Sequence, residues 1–169
     1  MDALMIGLIV GGFILLIFGF WFFSTWNRLV RLEENANKSW ADIDVLLKQR
    51  YDMIPNLVNI VKGYAEHERE IFEQFALARQ TAAGCLAQGD VKGVGAAEGM
   101  LSGLMPKINM VAEQYPDLKA DTSFVNLQNQ LVALENQLAD RREFYNASST
   151  NFNSAIQMIP TNFVAATKG

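Results

Sequence analysis

The sequence predicts an all-α protein in which an N-terminal transmembrane helix continues into an up-down-up-down four-helix bundle. Three observations predict it. Between Ala3 and Asn27 there is no charged residue, and most of the run is large and apolar. From Leu29 onward apolar residues recur every three or four positions. In the last third of the chain Phe124, Leu131, Leu138, Tyr145, Phe152 and Ile159 fall every seven residues, a coiled-coil-like seam. The chain therefore divides into an anchor, residues 1–27, and a bundle domain, residues 28–169.

About 20 apolar residues at ~1.5 Å each cross a hydrocarbon core of roughly 30 Å, so the first stretch has the length of a membrane span. Its start, Met1-Asp2, lacks the basic residues of a secretory signal, and its exit through Phe22, Phe23 and Trp26 lacks a small-residue cleavage site. An uncleaved anchor is the expectation. Trp21 and Trp26 suit the aromatic belt at a headgroup boundary. Arg28, Arg31 and Lys38 follow closely, and because acids count little in the positive-inside rule the body is expected on the cytoplasmic side, with a periplasmic body as the alternative. Ala3, Gly7 and Gly11 recur every four residues, a spacing that lets helix backbones approach closely in lipid. Glycine is also simply common in membrane helices, so both readings stand.

All 14 Lys and Arg lie after Asn27, with 17 of the 18 acids, giving the body a net charge of 14 − 17 = −3. That balance argues against nucleic acid as a partner, which requires a clustered basic face. The single cysteine, Cys85, cannot form an internal disulfide and leaves the redox compartment open.

In the body, Leu29, Leu32, Ala36, Trp40, Ile43 and Leu47 step by three or four with no Gly or Pro from Phe20 to Ile54. The anchor is thus expected to run on as the first body helix, ending or kinking at Pro55, which lacks an amide donor. A second helix is expected from Pro55 to about Ala83. Six glycines between Gly84 and Gly103 suggest a loop there, with Gln88-Gly89-Asp90 as the best turn signal. A third helix then runs from about Ala96 to Gln114. On it, Gly95, Gly99 and Gly103 form a strip that is either tightly packed or mobile. Tyr115-Pro116-Asp117 reads as a turn, and Asp121 or Thr122 as the cap of a last helix of about 36 residues that stops before Pro160.

The run from Ala41 to Val58, including Asp42, Asp44, Arg50, Tyr51, Pro55 and Asn56, is followed by Val61-Lys62-Gly63-Tyr64 and His67-Glu68. Together with Tyr115-Pro116-Asp117-Leu118-Lys119-Ala120, Arg141-Arg142, Tyr145-Asn146 and Phe152-Asn153-Ser154-Ala155-Ile156, it resembles the LemA family. The resemblance covers Asn27 to about Ala165. It implies a bacterial inner-membrane protein with one N-terminal anchor and a four-helix bundle, and it implies no particular activity. One branch of that family is associated with magnetosome membranes, and its genes often lie beside those of membrane metalloproteases. Two departures are the absence of an aromatic, basic tail after Pro160 and the glycine-rich segment from Gly84 to Gly103.

No catalytic constellation is apparent. A di-metal site in a bundle needs two Glu-x-x-His pairs, and the only histidine, His67, has Tyr64 three residues before it. His67 reads better as a surface residue. No phosphate loop or nucleophile elbow appears, so no metal, cofactor or enzymatic activity is expected. Arg141 falls in the apolar repeat, where a buried charge would need partners. Asp44, Asp52, Glu68 and Glu135 are candidates for a register-fixing ion-pair network, the alternative being that Arg141 snorkels to solvent. From Phe144 to Thr167 there is no charge, yet the segment is too polar to span lipid. Counting about 36 residues back from Asp52 brings the last helix level with residues 15 to 20, the alternative being that it is staggered or ends early. Phe152, Ile156, Ile159 and Phe163, with Gly7 and Gly11, are therefore expected to meet the membrane interface or a neighbouring copy. These features point to a homo-oligomeric, membrane-lipid-bound structural component with an effect on membrane shape, or to an adaptor for another membrane protein such as a protease.

Overall fold

The computed structural model describes residues 3–167. Residues 1–2 and 168–169, the extreme ends of the anchor and of the bundle domain, lie outside the described residues, as do the side chains of Ala3 and Leu4. The elements are α1 (Ala3–Tyr64), α2 (Arg69–Ala87), α3 (Val91–Gln114), α4 (Pro116–Ala120), α5 (Thr122–Gln157) and α6 (Thr161–Ala166). No strand occurs among the described residues, so the protein is all-α, with one long apolar helix at its start. Two compact units are distinguished. One comprises residues 1–41 and 141–169, the other residues 42–140, and α1 and α5 contribute to both.

The first difference from expectation is at Pro55, which neither ends nor starts a helix. It lies inside α1, which continues to Tyr64. A proline within a helix forfeits the bond its amide would have donated to the carbonyl four residues earlier. Here that carbonyl belongs to Tyr51, and the Nε–H of Arg79 on α2 donates to it at 2.7 Å. A side chain from the neighbouring helix thus supplies the donor that the proline lacks. The helix instead stops at Tyr64, where Lys62 is well placed for the negative end of the dipole. Ala65 to Glu68 form the turn, closed by the Glu68 amide on the Ala65 carbonyl at 3.1 Å.

The glycine-rich connection is also shorter than the sequence suggests. Only Gln88–Asp90 separates α2 from α3, and the other glycines of the segment are helical. Gly89 takes the left-handed conformation at φ 69°, which a side chain would strain. Asp90 caps α3 by accepting the Gly93 amide at 3.0 Å. A Cβ at Gly93 would collide with that same carboxylate and with the Cys85 sulfur, so this glycine is required by close approach. Gly95, Gly99 and Gly103 have open space where a Cβ would stand.

Residues Pro116–Ala120, expected as a turn, form the single-turn helix α4 with proline at its first position, where no amide donor is needed. Asp121 then caps α5, its Oδ1 accepting from the Ser123 amide at 2.7 Å and the Phe124 amide at 3.0 Å. α5 is 36 residues long and ends before Pro160. The chain beyond Pro160 adds the short α6, which the sequence reading did not contain.

In the unit of residues 42–140 the helices pack as a bundle around Leu47, Leu57, Phe75, Leu101, Ile108, Phe124 and Leu138, all buried. Two cross-helix bonds, Tyr64 to Asp121 and Arg50 to Glu135, show α1 and α5 running antiparallel here. Lys107 donating to Gln74 at 2.9 Å ties α3 to α2 across their short turn.

Replacing Arg79 by Met should destabilise the protein by about 1–3 kcal/mol, because a donor to a backbone carbonyl is lost. In a Pro55→Ala background the new amide can bond Tyr51, and the same replacement should cost clearly less. A double-mutant cycle by urea denaturation checks this; equal costs in the two backgrounds would show that Arg79 does not repair the proline break.

Candidate functional site

In the unit of residues 1–41 and 141–169, the apolar surface of α1 is exposed. Leu8, Leu15, Leu16 and Phe20 are 70%, 72%, 74% and 80% accessible, and none of the most apolar stretch is buried. Gly7 and Gly11 have nothing within 4 Å of where a Cβ would be, so their face is open. Farther along, the helix acquires a partner. Trp40 packs on Tyr145 with ring centroids 5.4 Å apart, and the Ser39 and Ser148 hydroxyls lie 3.4 Å apart. Leu29, Ala155 and Val164 then form a small buried core against which Trp21, Phe22, Trp26, Ile156 and Ala165 pack. α5 therefore descends antiparallel to α1, and α6 folds back against the aromatic end of the apolar run.

The last long helix does not come level with residues 15 to 20. Ala155, near its end, shares the Leu29 core, because α1 continues past Asp52 to Tyr64 and the whole register moves with it. Of the four residues expected at an interface, Phe152 and Ile156 are half-buried, whereas Ile159 and Phe163 are exposed. Met158, which the sequence reading passed over, is exposed beside them.

The unit of residues 42–140 holds a buried ion-pair cluster whose centre is Arg50. Its Nη1 donates to Glu98 Oε2 at 2.7 Å and to Glu135 Oε2, and its Nη2 lies 3.3 Å from the Ser102 hydroxyl. The Arg50 and Glu98 side chains are 5% and 2% exposed, Glu135 41%. Of the residues nominated from sequence, Glu135 belongs to this cluster. Asp44 accepts instead from Lys48 one turn away at 2.6 Å, Asp52 is exposed, Glu68 precedes α2, and Arg141 is exposed. Arg50 and Glu98 were missed although the signal existed. Ile43, Leu47, Arg50, Ile54, Leu57 and Val61 follow one three-and-four stripe, and Glu98 lies between Val94 and Leu101 in another. A charge inside an unbroken apolar stripe is the mark of a buried partner.

A second polar link joins the end of α1 to the start of α5. The Tyr64 hydroxyl donates to Asp121 Oδ2 at 2.8 Å. That bond, followed by the Phe124 amide, holds the Asp121 carboxyl below its ordinary value, and the same bond raises the Tyr64 phenol above its own. A lowered carboxylate favours folding above its unfolded value near 3.9, and the benefit is lost as pH falls through the lower folded value. For Tyr64 the benefit holds below about 10 and is lost as pH rises through the raised value. His67 is exposed in the turn after α1. Among the described residues no group of three or more His, Cys, Asp or Glu side chains could hold a metal ion.

Arg50→Met should cost about 3–5 kcal/mol of stability, since it strands a carboxylate nearly free of solvent contact. Arg50→Met combined with Glu98→Leu should recover most of that loss in a denaturation curve. Tyr64→Phe should return the Asp121 titration toward ordinary aspartate, read from its carboxyl carbon shift by NMR; an unmoved titration would show that the amides alone hold it.

Comparison with known proteins follows the same outline. Residues 39–169 match the LemA family. The chain is 26% identical to Magnetosome protein MamQ 2 of Paramagnetospirillum magneticum, over 85% of this chain and 61% of that protein. It is 23% identical to Magnetosome protein MamQ of Magnetospirillum gryphiswaldense over the same shares. Against Protein LemA of Metamycoplasma hominis the identity is 26%, over 88% of this chain and 67% of the relative. The chain thus spans about three-fifths of the length of the magnetosome relatives it matches. With the match running from α1 through the buried cluster to the chain's end, the protein belongs to the LemA family.

Proposed function

We propose that this protein is a non-catalytic, single-pass membrane protein that packs laterally with copies of itself, in a bacterial inner membrane with its body on the cytoplasmic side. The observation that carries this reading is the exposed apolar run of α1, none of whose most apolar window is buried. Its large side chains would each lose about 1.5–3 kcal/mol by facing water instead of an apolar medium. The open Gly7 and Gly11 face adds a route for two such helices to approach in lipid. Relatives named as magnetosome proteins agree with a place at a membrane. The polar centre of the bundle consists of ion pairs directed at each other, which suits a structural role.

A second reading, an adaptor that binds another membrane protein such as a protease, is favoured by one feature. A cavity of about 690 Å³ between the end of α1 and α2 is lined by Lys62, Glu66, Arg69, Phe72 and Glu73, an apolar floor with charges of both signs.

Light scattering and electron microscopy of the full chain in mild detergent separate the two. Uniform particles of many copies, which Gly7→Leu with Gly11→Leu reduces in size, support lateral assembly. A monomer under the same conditions overturns it in favour of the adaptor.

A further inference from the structure

The elbow between α5 and α6 is unusual for a surface exposed to water. Met158, Ile159 and Phe163 are 64%, 78% and 67% exposed within six residues of one another, and no Asp, Glu, Lys, Arg or His occurs from Phe144 to Thr167. We propose that these three side chains enter the headgroup layer of the same bilayer that α1 crosses, giving the protein a second lipid contact beside its anchor. This rests on reading α1 as a membrane span.

The level of the elbow is set by packing. Val164 and Ala165 of α6 lie in the cluster with Trp21, Phe22 and Trp26. Those aromatics end the charge-free run, and the first basic residue, Arg28, follows two positions after Trp26. Aromatic residues at such a place mark the boundary between hydrocarbon and headgroups. The α1 surface there, Phe20 and Phe23 at 80% and 67% exposed, is continuous with the lipid-facing run, and α6 is packed against the same turns. A side chain leaving α6 at this depth meets lipid headgroups, and an apolar one gains by doing so.

The backbone of the elbow is also prepared for scarce water. The carbonyls at the end of a helix lack partners within it and are costly to bury unsatisfied. Here the Thr161 hydroxyl turns back onto the carbonyls of Ala155 and Met158, the latter at 2.8 Å. The Asn162 amide also donates to Met158 at 2.8 Å, and the Thr167 hydroxyl donates to the Val164 carbonyl at 2.7 Å. Pro160 brings no amide to satisfy. Carbonyls of the turn are thus bonded within the elbow while Met158, Ile159 and Phe163 face out, an arrangement that suits a segment lying in an interface.

The test uses the full chain with Cys85→Ala, so that a single introduced cysteine carries an environment-sensitive fluorophore. The positions are Ile159→Cys, Phe163→Cys, Leu16→Cys in the span, and Val132→Cys on the bundle. Each is reconstituted in phosphatidylethanolamine–phosphatidylglycerol vesicles carrying nitroxide at the headgroup or deep in the acyl chain. The proposal expects quenching at 159 and 163 by headgroup nitroxide at least twofold above that at 132, with position 16 quenched most by the deep label. If 16 is quenched and 159 and 163 match 132, the elbow is in water and the proposal fails while the span stands. If 159 and 163 are blue-shifted but unquenched, they are covered by protein, such as a second copy, and the proposal fails. If 16 itself is unquenched, the reading of α1 as a span fails, and the elbow proposal with it.

Discussion

Two adjacent residues of α1 hold the bundle unit in register. Arg50 reaches α3 through Glu98 and α5 through Glu135, and the carbonyl of Tyr51 accepts from Arg79 of α2. One helical turn of α1 thus contacts every other long helix of that unit by a directional polar bond. Apolar packing is tolerant of sliding, since Leu47, Leu57 or Leu138 would be almost as well buried one turn away. A guanidinium with a fixed fork of donors is not tolerant. A shift of one helix by a turn would strand a buried carboxylate, so the cluster selects one alignment among several that the hydrophobic core alone would accept. Pro55 belongs to the same device. Its missing amide creates the acceptor that Arg79 occupies, and an apparent defect in α1 becomes an anchorage point for α2.

Much of this architecture was legible beforehand. The charge-free opening, the 36-residue last helix and the Asp121 cap follow from periodicity and capping chemistry, which act locally and leave direct marks in sequence. The failure at Pro55 depended on a partner distant in the chain. A proline read alone ends a helix; it continues one when an arginine 24 positions later supplies a donor, which spacing along α1 cannot reveal. Glycines read alone suggest a loop, yet with Asp90 capping and Gly89 turning, three residues suffice. Arg141 was nominated because it broke an apolar repeat. Arg50 breaks one too, and within a more strictly apolar stripe, but its flanking basic and polar neighbours made it look like surface.

The membrane-proximal unit relies on a different kind of cohesion. Its buried core is small, consisting of Leu29, Ala155 and Val164 with a surround of aromatics from α1. One of its cross-helix polar contacts is a hydroxyl pair, Ser39 with Ser148. Such contacts suit a region next to lipid, where an ion pair would have to be desolvated on one side and solvated on the other.

The open glycine strip of α3 has a consequence for how the bundle breathes. Gly95, Gly99 and Gly103 gain no packing from lacking a side chain, and each weakens the helix by up to about 1 kcal/mol relative to alanine. The first half of α3 therefore has the weakest intrinsic helicity of any long segment in its unit, and it is held in place by Glu98 and the apolar residues on its inner face. Local opening should begin there, and the backbone amides of that half exchange with solvent ahead of those in α1 or α5. The segment that carries the most deeply buried carboxylate is thus also the one whose helix depends most on its neighbours.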